Sequence, residues 1–168
     1  MTVTVEDVPY ERRHVLERLI ELYEYDFTEY DHRDVDEDGL FRYRYLPHYW
    51  RESDRHPLLI RADEKIAGFI LVNSHVVCAE PGSKSIAEYF VMRAYRRRGV
   101  GREAACIVFD RFPGRWEVRQ TATNIPAQAF WRSVVNDYTG GNYLLEEADD
   151  DDWHGPVLLF TNEGSCDD

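Results

Sequence analysis

The chain has 168 residues, of which 43% are hydrophobic and 14% aromatic, enough to bury the core of one domain without disulfides or metal ions. Its formal net charge of −12 argues against a general affinity for nucleic acids or anionic membranes. Cys78, Cys106 and Cys166 are far apart, and the N-terminal residues lack the apolar core of a signal peptide, so we expect reduced thiols and a cytoplasmic protein.

The N-terminal half of the chain predicts a strand, a helix and then further strands. Residues 2–5 are expected to form a short edge strand, after which Asp7 caps a helix that carries Pro9 in its first turn. Hydrophobic residues follow at helical spacing: Leu16, Leu19, Ile20, Tyr23, Phe27 and Tyr30. A short helix is expected near His48. Apolar runs bounded by turn residues predict strands at residues 57–62, 65–77 and 85–92.

The C-terminal half alternates helices and strands. A helix is expected from about Val100 until the Pro113-Gly114 pair, followed by a strand over residues 115–121. Asn124 then caps a second helix, whose buried side is apolar at helical spacing. Two closing strands are predicted within residues 140–147 and 155–162.

This order of elements predicts an α/β fold in which helices cover a mixed sheet. The sequence contains neither an internal repeat nor an interdomain linker. We therefore expect a single domain over residues 1–163, followed by an acidic C-terminal tail at residues 164–168.

The stretch "YRRRGVGREAA", residues 95–105, joins the predicted central strand to the next helix. A solvated helix start is the plainest interpretation, and a nucleic-acid patch fits poorly in an acidic chain. Gly99, Gly101 and Ala104 also satisfy a dinucleotide-binding fingerprint, with Glu117 as its ribose ligand. A dinucleotide-binding fold turns directly from its strand to the first glycine, whereas here several arginines intervene. It also places its acidic residue near the end of a strand, whereas Glu117 lies near the start of one.

A phosphate-binding turn explains more of these residues. In Arg96-x-x-Gly99-x-Gly101, the glycines let the backbone approach a phosphate, and the first N–H groups of the following helix form an anion nest. The arginines add positive charge where phosphates would lie. This arrangement resembles the pyrophosphate-binding motif of the GCN5-related N-acetyltransferase (GNAT) superfamily.

Two other segments are similar to the same superfamily. Asn124-x-x-Ala127-x-x-Phe130-Trp131 resembles its later helix, in which the asparagine contacts the pantetheine arm of the coenzyme and the alanine lets the arm pass. The run "YFVM" resembles its central strand. The resemblance implies coenzyme contacts from Val91, Met92, Arg96, Arg97, Arg98, Gly99, Val100, Gly101, Arg102, Asn124, Ala127, Phe130 and Trp131.

The resemblance also implies a mostly antiparallel, twisted sheet flanked by helices, splayed open between the central strand and the strand at residues 115–121. Acetyl-CoA, as cosubstrate, would occupy that opening with its carbonyl near the backbone of Val91 and Met92. A backbone N–H there would stabilise the oxyanion of the tetrahedral intermediate.

Glu88, in the predicted central strand, is the candidate general base. A buried carboxylate has a raised pKa and can take the proton of an attacking amine, directly or through water. The alternative is a structural partner for Arg93 or Arg119.

The sequence departs from the superfamily at the position of the general acid. Trp131 stands where the superfamily often has a tyrosine that protonates the leaving thiolate, and an indole cannot serve as that acid. Tyr138 and Tyr143 are the nearest tyrosines in sequence, and Tyr138 is the candidate. Otherwise the thiolate leaves unaided.

The resemblance implies direct acetyl transfer from acetyl-CoA to the primary amine of a small molecule or a peptide. The rival hypothesis is an acyl-CoA-binding or regulatory module that kept the coenzyme site and lost turnover, which the tryptophan at position 131 makes credible. Neither hypothesis involves nucleic acid or a membrane. A homodimer is compatible with the sequence.

The segment after the first helix indicates a cationic acceptor, such as a polyamine, an aminosugar or a lysine-bearing peptide. Its carboxylates stand against Arg33 alone: Glu24, Asp26, Glu29, Asp31, Asp34, Asp36, Glu37 and Asp38. Aromatic residues follow at Phe41, Tyr43, Tyr45, Tyr49 and Trp50. An ordinary solvated acidic surface is the alternative.

No metal site is expected. Asp34-x-Asp36-x-Asp38-Gly39 matches the first half of an EF-hand loop, but Tyr45 occupies the twelfth position, which needs a bidentate glutamate. The histidines lack the spacing of paired zinc ligands.

Overall fold

The computed structural model describes residues 1–162. The predicted tail, Cys166 and the end of the predicted domain at position 163 lie outside the described residues. The strands are β1 (Val3–Asp7), β2 (His56–Ala62), β3 (Lys65–Asn73), β4 (Lys84–Val91), β5 (Arg115–Arg119), β6 (Leu144–Asp149) and β7 (His154–Thr161). The helices are α1 (Arg13–Asp31), α2 (Val100–Arg111) and α3 (Ile125–Thr139), with 3₁₀ turns at Tyr10–Arg12, Leu46–Trp50 and Arg93–Tyr95.

Over residues 1–162 the strands form a single sheet in the order β1-β2-β3-β4-β5-β7-β6. Within that range β4 and β5 are the one parallel pair, and all other neighbours are antiparallel. The expected mixed, mostly antiparallel α/β fold is therefore confirmed, and the strand order excludes the parallel, doubly wound sheet of a dinucleotide-binding domain.

The sheet is covered on both faces. Helices α2 and α3 pack on one face, and α1 with the 3₁₀ turn Leu46–Trp50 packs on the other. Successive residues of β3 alternate between these layers: Ile70 joins the α2–α3 side, whereas Phe69 and Leu71 join the α1 side. All three are fully buried, as expected for a strand in the middle of a three-layer fold.

Two sequence-based boundaries were wrong, each for a local reason. Asp7 is the last residue of β1 and not a helix cap; Pro9 instead leads into a 3₁₀ turn, and α1 begins only at Arg13. The strand predicted to reach residue 77 ends at Asn73, whose side-chain oxygen accepts the N–H of His75 at 3.1 Å and turns the chain.

The feature that shapes the site is a bulge in β4. Leu71 lies opposite Glu88 and Val72 lies opposite Ile86, so Ala87 is an extra residue in β4. The pairing of β4 with β5 ends at the same point, where Ile86 pairs with Val118. Because a bulge bends and twists its strand, the remainder of β4 turns away from β5 and the central strand pair splays apart.

Candidate active site

The opening between β4 and β5 is bordered by the starts of two helices. β4 continues to Val91 after its pairing with β5 has ended, and the chain then enters α2 at Val100. β5 ends at Arg119, and α3 begins at Ile125. Both helices thus present their N-termini at the same end of the sheet, next to the opening. This is the arrangement expected for a site that receives the phosphates of a coenzyme.

The turn before α2 has the backbone conformation of an anion nest. Arg97 and Gly99 both have positive φ, 58° and 85° respectively, and Gly99 is the N-cap of α2. The N–H of Glu103 donates to Gly99 O at 3.0 Å, which is the first hydrogen bond of the helix. The N–H groups of Val100 and Gly101 lie in the turn before that bond, so their donors point along the helix axis towards the opening.

Gly101 is where the helix meets the central strand. An added Cβ would lie 3.2 Å from Phe130 Cζ, which is tighter than ordinary packing, and 3.5 Å from a methyl carbon of Val91. The hydroxyl of Tyr89 donates to the carbonyl oxygen of Gly101. Glycine at position 101 therefore lets α2, α3 and β4 converge at the base of the nest.

The arginines of the motif have different partners. Arg96 donates through Nε to Val91 O at 2.7 Å and pairs with Asp26 of α1, which Arg93 also binds at 2.5 Å. Burial tends to raise the pKa of Asp26, but the hydrogen bonds from Arg96 and Arg93 dominate and lower it. Arg98 is exposed and makes one long contact, 3.4 Å, to Ala94 O.

Arg102 and Arg97 complete the arginine set. Arg102 is engaged with α3, donating to Ser133 Oγ at 2.7 Å and pairing with Asp137. It therefore braces the two helices against each other. Arg97 is exposed beside Gly99, with its positive φ turning the backbone into the nest.

At the end of β4 two backbone N–H groups, those of Val91 and Met92, are candidates to face the opening, and only one of them does. The N–H of Met92 donates to Ala67 O of β3 at 2.8 Å, so that donor is used within the sheet. Val91, the residue before it, points its N–H and C=O to the opposite edge, where β5 no longer pairs. Arg96 reaches the Val91 carbonyl on that edge. Of the two backbone positions expected to face an acetyl carbonyl, the geometry favours Val91.

The later helix places its motif residues in three different roles. Asn124 caps α3, its Oδ1 accepting the N–H of Ala127 at 3.1 Å, as the sequence predicted. Phe130 is partly buried and faces Gly101. Trp131 is 5% exposed and packs edge-on against Tyr89, with ring centroids 4.8 Å apart. Trp131 is therefore part of the core, and its indole does not line the opening.

Glu88 lies on the α1 side of β4, at the mouth of the opening. The hydroxyls of Tyr23 and Tyr43 both donate to its carboxylate, the second at 3.1 Å to Oε1. Burial raises the pKa of Glu88 above its usual value, while the two tyrosine hydrogen bonds and the charges of Arg119 and Arg33 act in the opposite direction without cancelling it. The carboxyl group therefore holds a proton more readily than an ordinary glutamate does.

The two tyrosines were not identified from the sequence as partners of Glu88. Burial, followed by the nearby charge of Glu88, raises the pKa of Tyr23 and of Tyr43 well above the usual tyrosine value. Both hydroxyls therefore remain protonated donors across the physiological range. Tyr43 was noted only as one of the aromatic residues after the first helix, and Tyr23 only as part of a hydrophobic stripe.

Tyr138, the candidate general acid, is not brought to the opening. Its hydroxyl donates to Asp110 Oδ1 at 2.7 Å and accepts from Asn162 at 3.2 Å, near the C-terminal end of α2. Ten residues of α-helix separate Val100 from Asp110, a rise of about 15 Å. Burial is the main cause that raises the pKa of Tyr138, to about 12. Its contacts are those of a structural residue.

Glu117, the ribose ligand of the dinucleotide alternative, has a structural role. It is fully buried, and its carboxylate accepts the backbone N–H groups of Val77 and Cys78 at 2.8 Å and of Ala79 at 2.7 Å. These bonds hold the loop between β3 and β4. The carboxylate is therefore not available to a ribose.

The acidic segment at residues 24–38, which includes the end of α1, is largely paired with arginines. Arg33 pairs with Glu24 and Asp31, and Arg42 pairs with the two EF-hand-like aspartates, Asp36 and Asp38. Oδ1 of Asp36 also accepts backbone N–H groups of its own turn, from Asp38 and Leu40. Among the described residues there is no group of histidines, cysteines and carboxylates that could hold a metal ion.

The comparisons with known proteins bear on this site directly. The model of the Acetyltransferase (GNAT) family matches residues 16–134, a range that contains Glu88, the nest and most of α3. The chain belongs to the GNAT family. Membership supports acetyl transfer as the activity at the level of the family. None of the curated proteins matches the chain.

Solved structures confirm the GNAT fold at low sequence identity. An acetyltransferase from Thermus thermophilus is 15% identical, with a TM-score of 0.69 over 96% of this chain and 97% of that one. The aminoglycoside acetyltransferase AAC(6')-Ib in complex with coenzyme A is 13% identical, with a TM-score of 0.63 over 96% of each chain. The PaiA N-acetyltransferase from Thermoplasma acidophilum, also with coenzyme A, is 12% identical, with a TM-score of 0.58 over 96% and 99%. No helix among residues 1–162 is long and apolar enough to cross a bilayer.

Proposed function

We propose that the chain transfers the acetyl group of acetyl-CoA directly to a primary amine, with Glu88 as the general base. The observation that carries this proposal is the position of Glu88, which Tyr23 and Tyr43 hold at the mouth of the opening, on the strand that leads into the phosphate nest. The coenzyme complexes of AAC(6')-Ib and the Thermoplasma acidophilum protein support acetyl-CoA as the cosubstrate.

The coenzyme site that we propose runs from the nest into the opening. The pyrophosphate lies over the N–H groups at the start of α2, with Arg97 and Arg98 supplying positive charge. The pantetheine arm passes between β4 and the start of α3, near Ala127 and Phe130. The thioester carbonyl then lies at the Val91 N–H, which stabilises the oxyanion.

In the proposed reaction the amine nitrogen attacks the thioester carbonyl carbon, and the carbonyl electron pair moves to oxygen. Glu88 accepts the proton that the amine loses, directly or through a water molecule. Collapse of the intermediate restores the carbonyl, forms the amide and expels the coenzyme thiolate. Glu88 and Val91 are three residues apart on β4, about 10 Å along the strand, which leaves room for the amine and a water molecule between them.

The leaving thiolate is proposed to depart without a dedicated tyrosine. Trp131 packs in the core, and Tyr138 is bound to Asp110 at the far end of α2. Tyr89 is the tyrosine of β4 beside Phe130, but its hydroxyl donates to Gly101 O. A thiol is acidic enough to leave as the thiolate and take its proton from water.

The acceptor is proposed to be a primary amine, with no requirement for extra positive charge. A cationic acceptor was expected from the carboxylates of residues 24–38, but the arginine pairs of that segment weaken its field. The free thiols of Cys78 and Cys106 support a reducing compartment, and we propose the cytoplasm.

Calorimetry with acetyl-CoA, paired with a free-thiol assay over a panel of amines, tests the proposal. We expect binding, and thiol release that depends on an amine. Glu88→Gln should retain coenzyme binding and lose roughly 100-fold or more in turnover. Binding without release on any amine would instead favour the regulatory module, and absence of binding would exclude both.

A further inference from the structure

A largely buried arginine lies beside the proposed acceptor position and is not used by the proposed chemistry. Arg119 is the last residue of β5, one residue beyond the point where β5 and β4 separate. Val118 joins the core under α2 and α3, so the side chain of Arg119 projects to the opposite face of the sheet, the face that carries Glu88. Arg119 and Glu88 thus flank the mouth of the opening from two strands.

The guanidinium of Arg119 has capacity for a ligand. Its side chain is 16% exposed, and among residues 1–162 its one ion pair is a 3.4 Å contact to Glu117 Oε1. That carboxylate already accepts backbone N–H groups of the loop between β3 and β4. A guanidinium has five N–H donors, so most of those of Arg119 remain for another partner.

Arg119 is held in place by the turn between β6 and β7, which contains Trp153. Its guanidinium carbon lies 5.0 Å from the ring centroid of Trp153, and Trp153 Nε1 donates to Gln120 O at 3.2 Å. Gly155 of β7 lies so close to the residue after β5 that an added Cβ would lie 2.3 Å from Gln120 O. The arginine therefore projects from the end of β5, where the neighbouring strand β7 packs closely against the chain.

Glu88 and Arg119 follow the last paired residues of β4 and β5, Ile86 and Val118, by two residues and one residue, and they do not form an ion pair. The charge of Arg119 lowers the pKa of Glu88, yet within the described chain the two side chains do not approach within ion-pair distance. Arg33 also lies near Glu88, but it is committed to Glu24 and Asp31. The space between Glu88 and Arg119 is therefore bounded by a carboxylate on one side and a guanidinium with unused donors on the other.

From this juxtaposition we infer that the acceptor carries a carboxylate as well as its amine, and that Arg119 is the residue that selects it. The inference rests on the proposed acetyl transfer. The amine lies at Glu88, and the carboxylate accepts hydrogen bonds from Arg119, whose planar group suits a carboxylate in two-point contact. An amino acid fits this arrangement, whereas a polyamine would bring a second positive charge against the guanidinium.

The test compares matched acceptors in the free-thiol assay with acetyl-CoA: amino acids, their carboxamides, and the amines that remain when the carboxylate is removed. Diamines of similar length form a fourth group. We expect kcat/KM to be highest for amino acids. Measurements on the alkaline plateau of the pH profile keep Glu88 ionised, so that differences report recognition of the acceptor.

The variants are Arg119→Gln, Arg119→Lys and, as a control, Arg115→Gln at the other end of β5, where the arginine pairs with Glu80. Arg119→Gln should raise KM for amino acids roughly 10- to 100-fold, the effect of losing a hydrogen-bonded charge partner. The matched amines, which lack the carboxylate, should lose much less in kcat/KM than the amino acids do. Arg119→Lys should recover part of the loss, because it keeps the charge and loses the two-point geometry.

Two results would overturn the inference and are distinguishable. If carboxamides, simple amines or diamines react as well as amino acids in the wild-type protein, the acceptor needs no carboxylate while acetyl transfer stands. If no amine releases thiol, the proposed function fails and the inference fails with it. The wild-type comparison decides the matter even if the Arg119 variants do not fold.

Discussion

The hydrogen bonds to Glu88 make a quantitative prediction about pH. Tyr43→Phe removes the hydroxyl that donates to Glu88 Oε1 at 3.1 Å and leaves the ring in place. That bond favours the ionised carboxylate, so its loss raises the pKa of Glu88 further. A hydrogen bond to a charged group contributes about 1.5 kcal/mol at the lower end of its usual range. At about 1.36 kcal/mol per pKa unit, this predicts a rise of about one unit.

The sign of the effect on activity follows from the proposed role of Glu88 as the general base. Glu88 accepts a proton only when ionised, so kcat/KM falls as the pH drops through its pKa, and a higher pKa moves that fall to higher pH. The assay is kcat/KM against pH with one amine for the Tyr43→Phe and wild-type proteins. Their ratio cancels the titration of the amine itself. It should approach one on the alkaline side and fall to about one-tenth on the acid side.

Tyr23→Phe should shift the profile in the same direction, because Tyr23 donates to the other oxygen of the carboxylate. Tyr25→Phe is the matched control: it lies two residues along the same helix and is 67% exposed. A ratio that stays constant with pH for both Tyr23→Phe and Tyr43→Phe, in proteins that melt normally, would show that Glu88 does not set the acid limb.

Four other outcomes are expected. The pKa of Glu88 is raised in the folded state. The stability that Glu88 contributes is therefore complete below its unfolded-state pKa and is lost as the pH rises through its folded-state pKa. The melting temperature of Glu88→Gln relative to wild type should thus increase with pH. Gly99→Val places a branched residue at a φ of 85°, which costs about 1–2 kcal/mol, but the added Cβ meets no atom within 4 Å. The variant should therefore fold, and calorimetry should find that it binds coenzyme A more weakly. Arg98→Ala should weaken that binding in dilute buffer and have little effect at 1 M salt, where the Debye length is about 3 Å. Gly155→Ala should lower the free energy of unfolding in urea by roughly 1–3 kcal/mol, because its Cβ would overlap Gln120 O. An unchanged urea midpoint would contradict the close approach of Gly155 to Gln120.

The parts of the site that depend on neighbouring residues were predictable from the sequence. The nest is built from consecutive residues between β4 and α2, and a glycine inside the first turn of a helix weakens that helix, so it indicates a place where the backbone must be approached closely. The capping of α3 by Asn124 is equally local, since its partner Ala127 lies in the first turn. Each of these features is determined by backbone conformation over a few residues.

The surroundings of Glu88 depend on contacts that the sequence does not reveal. Tyr23 and Tyr43 are 65 and 45 residues away from Glu88 along the chain. Tyr23 is also part of the apolar stripe of α1, so helical periodicity alone assigns it to the core. The bulge at Ala87 has no glycine or proline to mark it, and it becomes visible only through the register of β3 against β4.

The same bulge connects the architecture to the chemistry. An unbulged β4 would continue its pairing with β5 beyond Ile86 and alternate its side chains strictly between the two faces. The extra residue ends that pairing, which leaves the Val91 N–H facing the opening and not β5. It also sets the side of the sheet that Glu88 occupies. Ile86 faces the α2–α3 layer, whereas the next two residues, Ala87 and Glu88, both face the α1 side, where Glu88 contacts Tyr23. One inserted residue therefore separates the two central strands and turns the Glu88 carboxylate towards the position that we propose for the acceptor.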